Sequence, residues 1–545
     1  MTTDSSFSHL DTAFTQFLSQ LTPLKNTEKT DFEQLLKNLS AQQNQGHNCI
    51  TVELEQQKLL LNSGVVAHVS PDTKNIPLQP LVLDDNRLYL QRYWAYEQHL
   101  AGQIQAMTQQ SYSVPEVDAL LNRYFEISTQ TNWQREAAKL AVSQRLSIIT
   151  GGPGTGKTTT VVKILALLQE LSSQPLLIAL TAPTGKAAMR LQESIGINKA
   201  KLNCSADLKQ LIPHEVSTLH RLLGALPQSP YFRHHAKNPL VYDVIVVDEA
   251  SMVDLALMAK LVDALKSEAR LILLGDKDQL ASVESGSVLA DLTQSLPAHT
   301  LELQHAYRFN HVIKDFANSI NQQHAEKAWQ QLSNETQTII SLLPQTESIA
   351  YIAGQYSQYL KLIKIGADFP SIYQAFNQFR VLCANRQGKN SVAEINHLVE
   401  QALVHKRLIQ LNSLWYVGRP IIITQNNPAL HLYNGDIGLC LLEQDTLMVY
   451  FLTADGSIKR YLPARIPACE TVFAMTVHKS QGSEFEHIVL ALPERINPVL
   501  TKELLYTAIT RAKETIKIIT EKAVFIKSIH QKVARMTGLA DKIKG

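Results

Sequence analysis

A glycine-rich loop between an apolar strand pattern and a helical pattern carries the clearest chemical signal in the sequence. The stretch "SIITGGPGTGKTTTVVKIL" at 147–165 contains G-x-x-x-x-G-K-[ST] in full. Glycines let backbone N–H groups face a phosphate chain, and the following helix adds the positive end of its dipole. An ordinary glycine turn is the alternative, but the flanking strand and helix are the context that a phosphate loop requires. The residues predicted to bind a nucleoside triphosphate here are Gly151, Gly152, Pro153, Gly154, Thr155, Gly156, Lys157 and Thr158.

The polar side chains of this loop and of a second strand end have predicted chemical roles. Lys157 is expected to reach the β- and γ-phosphates, and Thr158 to place its hydroxyl on Mg²⁺. The apolar run "VIVVDEAS" ends in Asp248 and Glu249. Asp248 is predicted to hold the same Mg²⁺ and Glu249 to activate the attacking water. A small-molecule kinase needs no water activator, so the pair favours hydrolysis over the alternative of two solvated acids.

Three further residues are predicted to complete a site for hydrolysis. Gln279, in the strand-then-turn pattern "LILLGDKDQL", is placed to contact the γ-phosphate or the attacking water. Arg308 in "LQHAYRFN" and Arg511 in "LLYTAITRAK" have the planar guanidinium that suits a developing charge on the γ-phosphate. Each of the three is by itself equally consistent with a surface side chain. If both arginines reach the nucleotide, it must lie between two domains, and hydrolysis would then open and close a cleft.

The elements that position these residues follow an α/β pattern. From about residue 130, short β-branched runs alternate with helical patterns, which predicts two parallel-sheet P-loop domains. Asn-Gly, Asp-Gly and Gly-Asp turns between short strands predict a small antiparallel barrel inserted in the second domain. The Leu- and Gln-rich beginning reads mostly as helices without a site motif. The predicted domains are 1–125 (helical, partner-binding), 126–300 (first motor), 301–407 (second motor, first part), 408–470 (β-rich insert) and 471–545 (second motor, second part).

Composition excludes several classes of protein. The 545 residues are 45% hydrophobic and 18% charged, which is the balance of a soluble globular protein, and no run is long and apolar enough to span a membrane. The formal net charge of +2 means that a polyanion must be held by a local groove. Five cysteines without C-x-x-C spacing, and no visible secretory signal, predict a protein of the reducing cytoplasm.

The order of the motifs resembles that of superfamily 1 helicases. The blocks "NWQREAAKLA", "GGPGTGKTTT", "LTAPTGKAAMRL", "STLHRLLG", "VVDEASMVD", "LLGDKDQLASVESGSVLAD", "AYRF", "TVHKSQGSEFEHIVL" and "LYTAITRAK" follow one another from about 130 to 515. Within that superfamily, "GRPIIITQNNPALHLYNGDIG", "GSVLADL" and the early "GHNCITVEL" are similar to the RecD family, the alpha subunit of exodeoxyribonuclease V. The longer stand-alone RecD type carries a larger N-terminal extension, so the short front end here favours the complex subunit.

The resemblance implies more than the residues alone do. It implies RecA-like motor domains, an SH3-like insert, ATP as the nucleotide with Gln134 reading adenine, and 5′ to 3′ movement on single-stranded DNA. It implies RecB-like and RecC-like partners, action on double-stranded DNA ends in break repair and recombination, and a nuclease activity that belongs to a partner. The residues expected to line the DNA channel are Thr184, Lys186, Thr218, His220, Thr476, His478 and Lys479.

Two alternatives stay open at this point. One is a free-standing superfamily 1 helicase on DNA or RNA, and the other is a structural subunit with an inactive ATPase. The second is disfavoured because the predicted catalytic set is intact: Lys157, Asp248, Glu249, Gln279, Arg308 and Arg511.

Overall fold

Four β-sheets organise the chain in a computed structural model that describes residues 7–70, 75–114, 117–126, 131–281, 286, 288–304, 310–453, 456–533 and 535–544. Two of the sheets are entirely parallel, which bears out the predicted α/β class. All five cysteines lie within the described residues, and none of them forms a disulfide. No helix in the described ranges is long and apolar enough to cross a bilayer.

The N-terminal region combines helices with a four-stranded sheet of order β1-β4-β3-β2. Its elements are α1 His9–Ser19, α2 Asn26–Asn44, β1 Cys49–Thr51, α3 Leu54–Asn62, β2 Val66–Val69, β3 Leu81–Asp84, β4 Arg87–Leu90, α4 Gln91–Thr108 and α5 Val117–Tyr124. The expectation of a helical region was therefore incomplete. The strands are only three or four residues long, too short for their alternation to stand out against the surrounding helical pattern.

The first parallel sheet has six strands in the order β10-β5-β9-β8-β6-β7. Its four inner strands are buried on both faces, because helices pack on each side, and this explains their continuous apolar runs, whereas the edge strands β7 and β10 are only partly buried. Its elements are α6 Trp133–Ser143, β5 Leu146–Thr150, α7 Lys157–Leu171, β6 Ile178–Ala182, α8 Gly185–Ala200, α9 Ala206–Leu211, β7 Val216–Thr218, α10 Leu219–Leu223, β8 Val244–Val247, α11 Leu255–Asp263, β9 Arg270–Gly275, α12 Val288–Ser295 and β10 Thr300–Glu302.

The second parallel sheet has the order β11-β20-β19-β12-β18, and an antiparallel sheet of order β16-β15-β14-β13-β17 is inserted within it. The insert runs from β13 to β17, inside the predicted range 408–470 except for its last residue, and its SH3-like nature stays a prediction. The elements are α13 His311–Asn321, α14 Ala325–Leu332, β11 Ile340–Leu342, α15 Gln345–Lys364, α16 Phe369–Asn377, β12 Phe379–Cys383, α17 Val392–His405, β13 Pro420–Ile423, β14 Ile437–Glu443, β15 Thr446–Leu452, β16 Ile458–Tyr461, β17 Cys469–Thr471, β18 Ala474–Thr476, β19 Phe485–Ala491, α18 Lys502–Ile509, β20 Ala512–Ile519, α19 Lys522–His530 and α20 Leu539–Lys544.

Two packing contacts cross the predicted domain boundaries. Leu100 and Ile104 of α4 lie in the same buried cluster as the strand residues Leu146 and Ile148 of the first parallel sheet. Helix α20 packs against α4 and α12 beside the first parallel sheet, although it follows the strands of the second parallel sheet in the chain. The boundaries at 125 and 471–545 therefore stay predictions, and the packing of α4 favours a division nearer residue 90.

The last ten described residues, 535–544, form a C-terminal strap that joins the N-terminal sheet to the first motor. The Asn48 backbone N–H donates to the Met536 carbonyl at 2.9 Å, and the Thr537 hydroxyl donates to Asp291 Oδ2 at 3.1 Å. The fully buried carboxylate of Glu97 accepts from the Gly538 N–H at 3.2 Å and from Lys542 Nζ at 3.3 Å. The strap thus supplies the cation for a carboxylate buried between two parts of the fold.

Lys542→Met is expected to destabilise the protein by about 3–5 kcal/mol, because it leaves Glu97 buried without a cation. Lys542 Nζ also pairs with Asp84 Oδ2 at 2.8 Å, so a second acid loses its partner. Urea denaturation of both proteins measures the difference in unfolding free energy. Lys544→Met is the matched control, since Lys544 lies on the same helix with its side chain exposed. Equal stability of the two variants would contradict the assigned role of Lys542.

Candidate functional site

The predicted phosphate loop connects the end of β5 at Thr150 to the start of α7 at Lys157. Gly154 and Gly156 have φ values of 72° and 86°, a left-handed conformation that side chains with a Cβ rarely adopt. Gly156 is the N-cap residue of α7, so the loop ends on the free N–H groups of a helix. Lys157 Nζ donates to the carbonyls of Gly151 at 2.5 Å and Gly152 at 3.1 Å, which holds the ammonium group over the loop.

Gln134 lies on the first turn of α6 and contacts this loop from outside. Its Nε2 donates to the Thr155 carbonyl at 3.3 Å. The helix begins there because the Asn132 side chain accepts from the Arg135 N–H at 3.1 Å and caps the first turn. The predicted adenine contact is therefore placed next to the phosphate loop, and its role with a base stays a prediction.

The two predicted acids follow β8 directly. The Glu249 N–H donates to Asp248 Oδ1 at 2.9 Å, and Glu249 itself has a φ of 50° in the left-handed region. Such strained backbone is found preferentially at functional sites. Burial, followed by the charge of Glu249, raises the pKa of Asp248, while the Lys157 ammonium acts in the opposite direction.

One cavity brings most of the predicted nucleotide residues together. Gly151 and Gly152 lie at the base of the loop, and Arg308 falls outside the described residues. The cavity is lined by Pro153, Gly154, Thr155, Gly156, Lys157, Thr158, Thr159, Arg190, Ser194, Asp248, Glu249, Gln279, Glu484 and Arg511. Glu484 directly precedes β19 and Arg511 directly precedes β20 of the second parallel sheet, so the two motor halves both line the site.

A hydrogen-bonded bridge joins the halves beside the cavity. Arg511 Nη2 donates to Gln279 Oε1 at 2.6 Å, and its Nε donates to the Thr507 carbonyl at 3.0 Å. The Leu280 N–H donates to Thr507 Oγ1 at 2.8 Å, and Gln481 Nε2 donates to the Leu280 carbonyl at 2.8 Å. Gln279 and Arg511 are almost fully buried, with 6% and 3% of their surface exposed. The two predicted γ-phosphate contacts are therefore held against each other.

The unpredicted side chains of the site include the cavity-lining Thr159, Arg190, Ser194 and Glu484, and also Asp276 and Tyr506 beside the cavity. Asp276 is buried and accepts from Gln279 Nε2 at 2.9 Å and from the Tyr506 hydroxyl at 3.2 Å. Burial raises the pKa of Asp276 to about 6, against the opposing charge of Lys157. The signal for Asp276 was present, since this acid follows β9 as directly as Asp248 follows β8. Tyr506 carried no such signal, because its contact with the other half depends on tertiary packing.

Three of the predicted DNA-channel residues share one local arrangement. The hydroxyls of Thr184, Thr218 and Thr476 each accept from the backbone N–H three residues later, at 3.2, 3.3 and 3.3 Å. Thr218 and Thr476 are the last residues of the parallel strands β7 and β18, and Thr184 lies two residues after the end of β6. A hydroxyl that accepts in this way keeps its own proton free to donate to a phosphate oxygen. The arrangement suits contacts with a nucleic-acid backbone.

The cationic and imidazole members of the predicted channel differ in their surroundings. Burial, followed by the charge of Arg190, lowers the pKa of Lys186 to about 7. Lys479 Nζ pairs with Glu470 Oε2 at 3.1 Å, and burial lowers the pKa of His478. His220 is exposed, with its ring 5.7 Å from that of Phe232.

The two halves also meet at the start of α8, where a Cβ added to Gly482 would lie 3.8 Å from Ala187 Cα. Ala187 directly follows Lys186, and Gly482 lies three residues after Lys479. The structure therefore brings the predicted DNA-channel segments of the two halves together.

Two segments of this chain match known protein families, and relatives of known name are similar to it over most of its length. Residues 134–285 match the AAA domain family, and residues 471–519 match the UvrD-like helicase C-terminal domain family. The chain is 39% identical to RecBCD enzyme subunit RecD of Mycolicibacterium smegmatis, over 84% of this chain and 82% of that protein. It is 37% identical to the Haemophilus influenzae subunit of the same name, over 85% and 81%. A crystal structure of Bacteroides Pif1 helicase with ADP-AlF3 and ssDNA aligns with a TM-score of 0.41 at 18% identity, over 74% of this chain and 95% of that chain.

Proposed function

Because the chain belongs to the RecD family of RecBCD enzyme subunits, we propose that it is a motor that moves 5′ to 3′ along single-stranded DNA within a RecBCD-type complex. The chain is an ATP-dependent DNA helicase of that family. Its partners in this proposal are a RecB-like helicase–nuclease and a RecC-like scaffold in the cytoplasm. Its substrates are double-stranded DNA ends in break repair and recombination, and nuclease activity comes from a partner.

The observation that carries the proposal is the cavity lined from both motor halves. Lys157 and Glu249 come from the first half, and Arg511 comes from the second. A triphosphate in this cavity contacts both halves, so cleavage of its γ-phosphate changes the contacts that hold them together. Because the DNA-channel segments also meet across the same two halves, that change is transmitted to the DNA.

The residues present fit Mg²⁺ as well as ATP. Thr158 and Asp248 offer a hydroxyl and a carboxylate to one cavity, and oxygen donors of this kind are the ligands that Mg²⁺ prefers. The ion would neutralise phosphate charge there. Lys157 would hold the β- and γ-phosphates, Glu249 would accept the proton of the attacking water, and Gln279 and Arg511 would stabilise the charge of the transition state.

An ATPase assay combined with a translocation assay tests this proposal. We expect ATP hydrolysis by the purified chain to depend on single-stranded DNA, and we expect the chain to displace streptavidin from a 3′-biotinylated strand and not from a 5′-biotinylated one. Unwinding of a blunt duplex is measured with and without the RecB-like and RecC-like partners. If the chain without partners unwinds the duplex fully, a free-standing helicase is favoured. If neither the chain alone nor the chain with its partners hydrolyses ATP in response to DNA, a structural subunit is favoured.

Helix α1 supports attachment of the N-terminal region to the RecC-like partner. Leu10 and Phe17, seven residues apart on one face of α1, are 67% and 62% exposed, and Leu21, just beyond the end of the helix, is 55% exposed. Apolar side chains concentrated on one surface face mark interaction sites more often than scattered ones do. We propose that this α1 face contacts the RecC-like partner.

Phe17→Glu combined with Leu21→Glu is expected to weaken binding to the RecC-like partner by roughly 30-fold or more, the effect of losing a central aromatic contact. Pull-down or titration with the partner measures it, and DNA-stimulated ATPase of the same preparation is expected to stay unchanged. Gln16→Glu, on another side of α1, is the control. Unchanged partner binding by the double variant would move the interface elsewhere.

A further inference from the structure

Arg190 is a cation of the nucleotide cavity that the predicted mechanism leaves without a role. It lies on α8, in the first motor half, and its side chain lines the cavity together with the phosphate loop. Among the described residues, no side chain or carbonyl makes a hydrogen bond or ion pair with its guanidinium group. Burial lowers the pKa of Arg190, which reflects the cost of keeping this charge away from water.

The charges around Arg190 indicate which ligand it fits. Glu484, Arg511 and Glu249 are the strongest charges acting on it, and all three line the same cavity. A guanidinium group has five N–H donors in a planar fork and no acceptor, so it matches phosphate oxygens in pairs. Arg190 is one of three cations that line the cavity with Lys157 and Arg511, and three acids line it as well: Asp248, Glu249 and Glu484. A phosphate chain that carries Mg²⁺ has negative oxygens for the cations and a metal ion for the acids.

Its position points to the γ-phosphate end of the nucleotide. Gln134, the predicted adenine contact, touches the loop at Thr155, whereas Glu249 and Arg511 are the predicted groups at the cleaved phosphate. Arg190 lies beside this second pair. Arg190 also belongs to the same motor half as the phosphate loop. Its contact with a bound nucleotide therefore does not require the cleft to close, whereas a contact from Arg511 in the other half does.

We propose that Arg190 contacts the γ-phosphate of ATP from the P-loop half and makes that half distinguish ATP from ADP before the second half closes on the nucleotide. The inference rests on the proposed ATP-driven function. It assigns to the block "LTAPTGKAAMRL" a nucleotide contact at Arg190 in addition to the DNA contacts expected at Thr184 and Lys186.

Nucleotide binding by Arg190→Gln tests the proposal. We expect its affinity for a non-hydrolysable ATP analogue with Mg²⁺ to fall roughly 10- to 100-fold, the effect of losing a charge-assisted contact, while its affinity for ADP changes by less than about threefold. The ratio of the two affinities is measured within one preparation, so a smaller folded fraction does not alter it. Arg190→Lys keeps the charge and is expected to give an intermediate ratio.

Arg495→Gln is the matched control, because Arg495 is exposed and lies outside the cavity. An unchanged ratio in Arg190→Gln, or an equal loss for both nucleotides, overturns the γ-phosphate assignment. That outcome differs from failure of the proposed function, in which the unmodified chain itself shows no DNA-stimulated hydrolysis of ATP.

Discussion

Lys157→Gln is expected to lower DNA-stimulated ATP hydrolysis by roughly 10²- to 10³-fold or more while the fold survives. The Lys157 ammonium is held over the loop by the Gly151 and Gly152 carbonyls and lines the cavity beside Asp248. Because its ammonium group faces this polar cavity, its loss is expected to remove charge from the phosphates and little packing. Steady-state ATPase with saturating single-stranded DNA measures the effect.

The control for this prediction is Lys201→Gln, which removes an exposed lysine at the end of α8. Circular dichroism and the thermal midpoint of both variants establish that they are folded. Near-normal hydrolysis by a folded Lys157→Gln protein would contradict the assignment of the phosphate loop, and with it the proposed motor function.

Arg511→Ala is expected to cut kcat by roughly 10²- to 10³-fold with a much smaller change in nucleotide affinity. Its guanidinium group is bonded to Gln279 across the two halves, so it is placed to respond when the γ-phosphate is cleaved. Arg511 is 3% exposed and also donates to the Thr507 carbonyl, so the substitution is also expected to lower the stability of the fold. Single-turnover hydrolysis and direct nucleotide binding separate these effects.

A double-mutant cycle sharpens this second prediction. If Arg511 and Gln279 act as one unit, Gln279→Ala combined with Arg511→Ala should be little slower than the worse single variant. Arg495→Ala serves as the exposed control. Loss of affinity without loss of kcat would exclude Arg511 as a group that stabilises the transition state. The same separation of kcat and affinity is predicted for Arg308→Ala, at a position outside the described residues.

The features that could be predicted best from the sequence are those formed by residues that are neighbours in the chain. The phosphate loop is one continuous stretch, and Asp248 and Glu249 end one strand, so their chemistry and their position can be read together. Gln279 and Arg511 are 232 residues apart. Both could still be predicted to share one site, because each lies in a motif whose place in the series resembles that of superfamily 1 helicases. The parallel sheets followed from continuous apolar runs.

What could not be predicted depends on contacts between distant elements. Arg190 lies four residues after Lys186, on the same side of α8, but nothing local indicates that one faces the nucleotide cavity. The packing of α4 on the first parallel sheet was missed, because its apolar positions also fit a helical N-terminal module. A truncation near residue 120 would therefore remove part of the motor core, and substitutions on α1 test partner binding more cleanly.

The C-terminal strap has a consequence for the order in which contacts form during folding. The buried Glu97 beside the N-terminal sheet receives its cation from Lys542, which lies 445 residues further along the chain. Contacts between residues so far apart in sequence require the closure of a long loop, and the entropy lost on closure makes them slower to form than local contacts. We therefore expect the Glu97–Lys542 pair to form late in folding, after the local helices and strands on either side of it.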